Sequence, residues 1–178
     1  DAGLCFQAQE TGHPDSVLIY RVSTKGQEDD NDYDAPFYHL PPADAAALHY
    51  NITAAKWPPE LQPSRVWQEP VNEPRAKPDL DKPNYQNMHP SDWLGHFTVE
   101  YAILANADGR KVCGPSFSPG EPGDDGKGII DAVNQYSQPG MLRWLTYCAE
   151  NPDKAALGVH EYSLALDAYE NHYPWRYG

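Results

Sequence analysis

The chain predicts an α/β fold whose parallel sheet forms part of a (β/α)8, TIM-barrel-like architecture, and three observations carry that expectation. Apolar, strand-like runs begin near residues 17, 66, 112 and 156, at a nearly constant interval. One helical pattern separates each run from the next, which is the alternation that βαβ units produce. Polar side chains gather at the same end of every run: Arg21, Asn72 with Glu73, Ser116 with Ser118, and His160 with Tyr162. A doubly wound sheet concentrates its chemistry at one switch point, whereas a barrel presents every strand end to one rim.

Residues 1–11 read as a helix that Asp1 can cap and Gly12 can end. The run 16–22 is continuously apolar until Arg21, as in a strand covered on both faces. An acidic, turn-like loop fills 25–34, and a helix is expected over 43–55, closed by Trp57-Pro58-Pro59. The second strand, 66–71, runs into Asn72-Glu73-Pro74. Pro74 has no N–H to donate, so the ladder stops there with a carboxylate at the transition to loop. Ser91 is the expected cap of the next helix, in which Leu94, Phe97, Tyr101 and Leu104 recur at helical spacing before Asp108-Gly109 closes it. A third strand over 111–118 is interrupted by Gly114-Pro115. A helix over 140–149 carries Met141, Trp144, Leu145 and Cys148 on one face, and a fourth strand spans 155–163. Eight such units need about twice this length, against the ~250 residues of a compact barrel. Residues 1–178 therefore read as one partial barrel domain of four to five βα units, its remaining strands supplied by a longer protein or another chain.

Composition narrows the partners. Lys and Arg number 13 against 26 Asp and Glu, a formal charge of −13, which leaves no electrostatic footprint for nucleic acid or an anionic membrane. No apolar run approaches the ~18 residues of a membrane span, no export signal is recognisable, and Asp1-Ala2-Gly3-Leu4 reads as mid-domain sequence. The three cysteines, Cys5, Cys113 and Cys148, are too far apart for a metal or redox motif and read as free thiols, Cys113 and Cys148 buried. No helical His-Glu-x-x-His pattern exists, and the acidic loops at 29–34 and 123–125 lack ordered calcium-loop spacing, so no metal and no cofactor are expected. The 18 prolines imply long stiffened loops, while 12 tyrosines and 5 tryptophans supply rings of the kind on which sugars stack.

Glu73 is the candidate catalytic residue. A carboxylic acid on a sheltered strand end can protonate a glycosidic leaving group, and a neighbouring amide such as Asn72 can hydrogen-bond a sugar hydroxyl beside the reacting carbon. The plainer alternative is a solvated strand end with Arg21 in a structural ion pair, and a strand-end histidine is more often structural than catalytic.

Asn72-Glu73-Pro74 after a strand, Arg21 ending an earlier strand and His160-x-Tyr162 on a later one resemble the clan of retaining (β/α)8 glycoside hydrolases. Gly158-Val159-His160-Glu161-Tyr162-Ser163 and Phe117-Ser118-Pro119-Gly120-Glu121-Pro122 resemble segments of bacterial and phage-associated members. The resemblance implies Glu73 as general acid/base on the fourth barrel strand. It also implies Arg21, Asn72, His160 and Tyr162 around the cleavage subsite, a β-linked saccharide as substrate, and an extracellular or cell-surface setting. Trp67, Trp175 and Tyr177 are looser candidates for ring stacking. The clan's nucleophile ends the seventh strand, which is expected outside this chain. Glu161 and Glu121 are the in-chain candidates for a second carboxylate, although Glu161 alternates with His160 and Tyr162 and so faces the opposite side of a regular strand. The rival expectation is a non-catalytic barrel fragment, or a saccharide-binding or structural module.

Overall fold

The computed structural model describes residues 2–12, 17–22, 37–74, 84–117 and 129–158. Four strands, β1 (Leu18–Arg21), β2 (Val66–Glu69), β3 (Lys111–Cys113) and β4 (Ala155–Ala156), form one parallel sheet in the order of the chain. Five helices accompany them: α1 (Ala2–Gly12), α2 (Pro42–Ala55), α3 (Pro90–Ala107), α4 (Ile129–Tyr136) and α5 (Pro139–Glu150). This is a parallel sheet alternating with helices, as in a partial (β/α)n repeat. Neighbouring strands are consecutive throughout, so the described sheet contains no reversal of strand order and no switch point.

Register sorts the side chains onto two faces. Leu18 lies opposite Val66, Tyr20 opposite Gln68, Gln68 opposite Val112, and Val112 opposite Ala155. These residues meet the helices. Val66 packs with Trp57, Leu61 and Phe6, while Val112 and Ala155 join Trp93, Phe97, Met141 and Trp144 in the main core. The alternate positions, Ile19, Arg21, Trp67, Glu69, Lys111 and Cys113, belong to the other face. There Ile19 is 50% exposed, so no described helix covers that end of the face.

Prolines set the helix starts. Pro42, Pro90 and Pro139 each open a helix, where the missing N–H costs nothing and φ is already helical. Pro90 therefore moves the cap of α3 from the expected Ser91 back to His89, whose side chain accepts the Ser91 N–H. Leu104, on the expected apolar stripe, is 37% exposed. The helices α3 and α5 pack backbone to backbone: a Cβ on Gly140 would lie 1.9 Å from the Asp92 carbonyl oxygen, and one on Gly95 2.1 Å from the Gly140 carbonyl carbon. Asp92 also accepts the Gly140 N–H at 2.6 Å, so one helix caps the next.

Several boundaries differ from expectation. β2 ends at Glu69 and not at Val71, because Pro70 cannot continue the ladder. β3 ends at Cys113, ahead of the cis Gly114-Pro115 bond, and pairing resumes as a bridge between Asn72 and Ser116. The helix α4 was not expected, so two helices, not one, separate β3 from β4. Of the fourth strand, Ala155–Ala156 is seen, and residues 159–163 lie outside the described residues. Cys113 and Cys148 are free as expected but half-buried, and Cys5 is exposed.

Candidate active site

The strand ends are built from interrupted ladders whose loose groups are taken up by side chains from the helices. At Pro70 the backbone of β2 leaves regular pairing, and its carbonyl accepts a 2.7 Å hydrogen bond from Nε2 of His49, a fully buried residue of α2. At Gly114, just past β3, the N–H still donates to the Ala156 carbonyl at 2.9 Å, while the carbonyl accepts from the Gly158 N–H at 3.4 Å and from the buried Trp144 indole of α5 at 2.6 Å. Gly114 has no side chain, and a Cβ there would stand 3.3 Å from the Pro70 ring, so the two tips press together. Unpaired buried carbonyls are costly, and His49 removes that cost where the β2 ladder stops, while Trp144 reinforces a long backbone bond at Gly114.

Beyond this clamp lies the polar motif. Asn72 bridges to Ser116, and the Glu73 N–H donates to the Ser116 carbonyl at 2.8 Å. Glu73 adopts φ 46°, the left-handed region that a residue with a Cβ enters only under constraint. Its backbone is thus held at a fixed, strained position at the tip of β2, with the side chain partly exposed. Ser116 is buried beneath it. The tip of β4 reaches the same point because residue 158 is glycine: a Cβ there would fall 2.5 Å from Ser116 Oγ and 3.3 Å from Cys113 Sγ.

Arg21, directly opposite Glu69 in the β1–β2 register, donates through Nη1 to Glu69 Oε2 at 3.2 Å and to Asn72 Oδ1. The Glu69 side chain is 10% exposed and that of Arg21 39%, so the pair is sheltered on its acidic side. Burial, and secondarily the Glu69 carboxylate, push the Cys113 thiol up to about 11, keeping it protonated at neutral pH.

The structure brings together Arg21, Asn72, Glu73 and Ser116. Arg21 ties two strands together through Glu69 and Asn72. Trp67 lies on the same face as Glu69, two residues further from the rim, and the Lys111 ammonium sits 5.5 Å from its ring centroid. His160, Glu161, Tyr162, Trp175, Tyr177 and Glu121 lie outside the described residues. Sequence reasoning missed Glu69, which reads as a strand-interior residue; its signal is Arg21 at the equivalent end of the preceding strand. It also missed His49, an apparently ordinary helix residue. Among the described residues no group of three or more His, Cys, Asp or Glu is placed to hold a metal ion, and no helix is long and apolar enough to cross a membrane.

No protein-family model, curated protein or solved structure matches the chain.

Proposed function

We propose that this chain is the central part of a (β/α)8 glycoside-hydrolase-type barrel that cleaves a β-linked saccharide outside the cell or at its surface. Glu73 is the general acid/base, and the nucleophile is supplied from outside these 178 residues. One observation carries the reading: Glu73 is held in a strained backbone conformation at a strand tip, next to an asparagine anchored by an arginine. Strain of about 1–3 kcal/mol persists where the surroundings over-determine it, and such positions cluster at active sites. In the proposed reaction the Glu73 carboxylic acid gives its proton to the departing glycosidic oxygen, then as carboxylate takes one from the attacking water. Asn72 hydrogen-bonds a hydroxyl next to the reacting carbon, and His160 and Tyr162 line the same subsite. Trp67, Trp175 and Tyr177 offer rings to more distant sugar units, and Glu161 or Glu121 would serve if the second carboxylate came from this chain.

The test is Glu73→Gln in the complete protein, assayed on a panel of β-linked oligosaccharides. Turnover should fall by about 10²–10⁴-fold, with melting temperature and saccharide affinity retained. Unaltered turnover overturns the assignment.

A non-catalytic saccharide-binding barrel is the second reading, and one observation favours it. The Arg21–Glu69 ion pair ties β1 to β2 and engages Asn72, a structural use of the rim that requires no turnover. Saccharide binding without turnover in the complete protein would select this reading.

A further inference from the structure

We propose that Glu69 is a positioning residue that, through Arg21, fixes the orientation of the Asn72 side chain, so that the rim presents the Asn72 amide N–H donors to a hydroxyl-bearing ligand. The argument starts from donor and acceptor inventory. A guanidinium has donors only, and a carboxamide has one acceptor end and one donor end. Arg21 Nη1 donates to Asn72 Oδ1, so the oxygen end of Asn72 is turned toward Arg21 and its NH2 end is turned away. Arg21 cannot hold that orientation alone. Its side chain is 39% exposed, and an arginine anchored at one end only keeps most of its rotamer freedom. Glu69 supplies the anchor. Its carboxylate is sheltered from water, lies directly across the β1–β2 ladder from Arg21, and accepts from the same Nη1 at 3.2 Å. The register of two strands thereby determines which end of an amide faces the ligand.

The chemistry of the ligand follows. An NH2 group recognises an acceptor, and the guanidinium charge is offset by Glu69. A neutral, hydroxyl-rich molecule fits this balance, whereas a phosphate or carboxylate would find the one guanidinium already neutralised. The inference rests on the glycosidase-type reading for the identity of the ligand alone.

Its test needs no ligand, so a failure of that reading and a failure of this one are distinguishable. In the 15N-labelled 178-residue chain, side-chain relaxation reports the order parameter of the Asn72 NH2 group. The wild type should be rigid, at about 0.85, and Glu69→Met, of similar length but without an acceptor, should fall below about 0.6. Glu69→Gln, whose Oε1 still accepts from Arg21, should restore the rigid value. A purely structural role for Glu69 predicts equal loss in Met and Gln variants across the whole strand, with no effect specific to Asn72. If Glu69→Met does not fold, Arg21→Lys gives the same reading: a shorter ammonium keeps the Glu69 pair and releases Asn72. An Asn72 signal that stays rigid in a folded Glu69→Met or Arg21→Lys chain overturns the proposal.

Discussion

At the scale of single residues, the rim trades backbone comfort for geometry. Glu73 occupies φ 46°, where every L-residue with a Cβ is disfavoured and glycine is not. The comparison that isolates this strain is Glu73→Gly against Glu73→Ala, since both remove the carboxylate and only glycine relieves the backbone. The glycine variant should be more stable than the alanine variant by about 1 kcal/mol, read as a higher urea midpoint at equal slope. A glycine variant no more stable than the alanine one would mean that the strain does not exceed the extra unfolded-chain entropy of glycine. The rim was partly legible in the sequence, and the reason is distance along the chain. Asn72-Glu73-Pro74 is a local signal, because a proline ends the ladder whatever the rest of the molecule does. The Arg21–Glu69 pair depends on a strand register that joins residues 48 positions apart, and neither residue announces the other. The His49 bond to the Pro70 carbonyl is hidden for the same reason. Gln68 is the converse case: a polar residue at a helix-facing position, fully buried, whose amide has no hydrogen-bond partner among the described residues.

At the scale of elements, three of the five helices owe their starts to a repeated device, proline in the first turn, and α3 combines it with a titratable cap. His89 Nδ1 accepts the Ser91 N–H at 3.2 Å, which a ring nitrogen does only when unprotonated. Burial lowers the His89 pKa from 6.5, with Asp92 opposing the shift. The sign follows from proton counts. Between the lowered folded value and 6.5 the unfolded chain binds more protons than the folded one, so stability rises with pH across that window. The stabilisation is fully present above 6.5 and is lost as the pH falls through the folded value. His89→Ser keeps a capping oxygen and removes the titration, so the variant should melt within about 2 °C of wild type at pH 7.5. As the pH falls below 6.5 it should outlast wild type by a growing margin, up to about 3 °C, since a cap is worth ~1 kcal/mol and a chain of this size moves ~2–4 °C per kcal/mol. A constant difference across the pH range would remove His89 as the source. This cap was read from the sequence as Ser91, because serine is the stronger capping type. The proline before it decided otherwise.

At the scale of the whole molecule, the period of strands and helices was legible because the apolar runs are separated by proline- and glycine-rich punctuation that no tertiary contact needs to explain. The helix α4 was not, since it follows a glycine-rich acidic loop with no cap signal of its own. Closure of the sheet is a property of no single segment, and it is best tested through the edges. β2 and β3 are paired on both sides, whereas β1 and β4 each have one partner among the described strands. Consecutive strand order with right-handed crossovers puts successive helices on one face, and Ile19 on the other face is half exposed. A four-stranded sheet left open at both edges exposes unpaired N–H and C=O groups there, a hazard that a closed barrel abolishes. Hydrogen exchange separates the two arrangements. In the 178-residue chain the amides of β1 and β4 that are not bonded to β2 or β3 should exchange at least about tenfold faster than those of β2, as edge positions open locally at little cost. In a protein that carries the remaining strands of a barrel, the same amides should slow to the β2 rate while β2 itself changes little. Edge amides that stay fast in the longer protein would mean an open sheet, and with it a rim that ends at four strands. Edge amides that are already slow in the 178-residue chain would mean that this chain pairs its own edges.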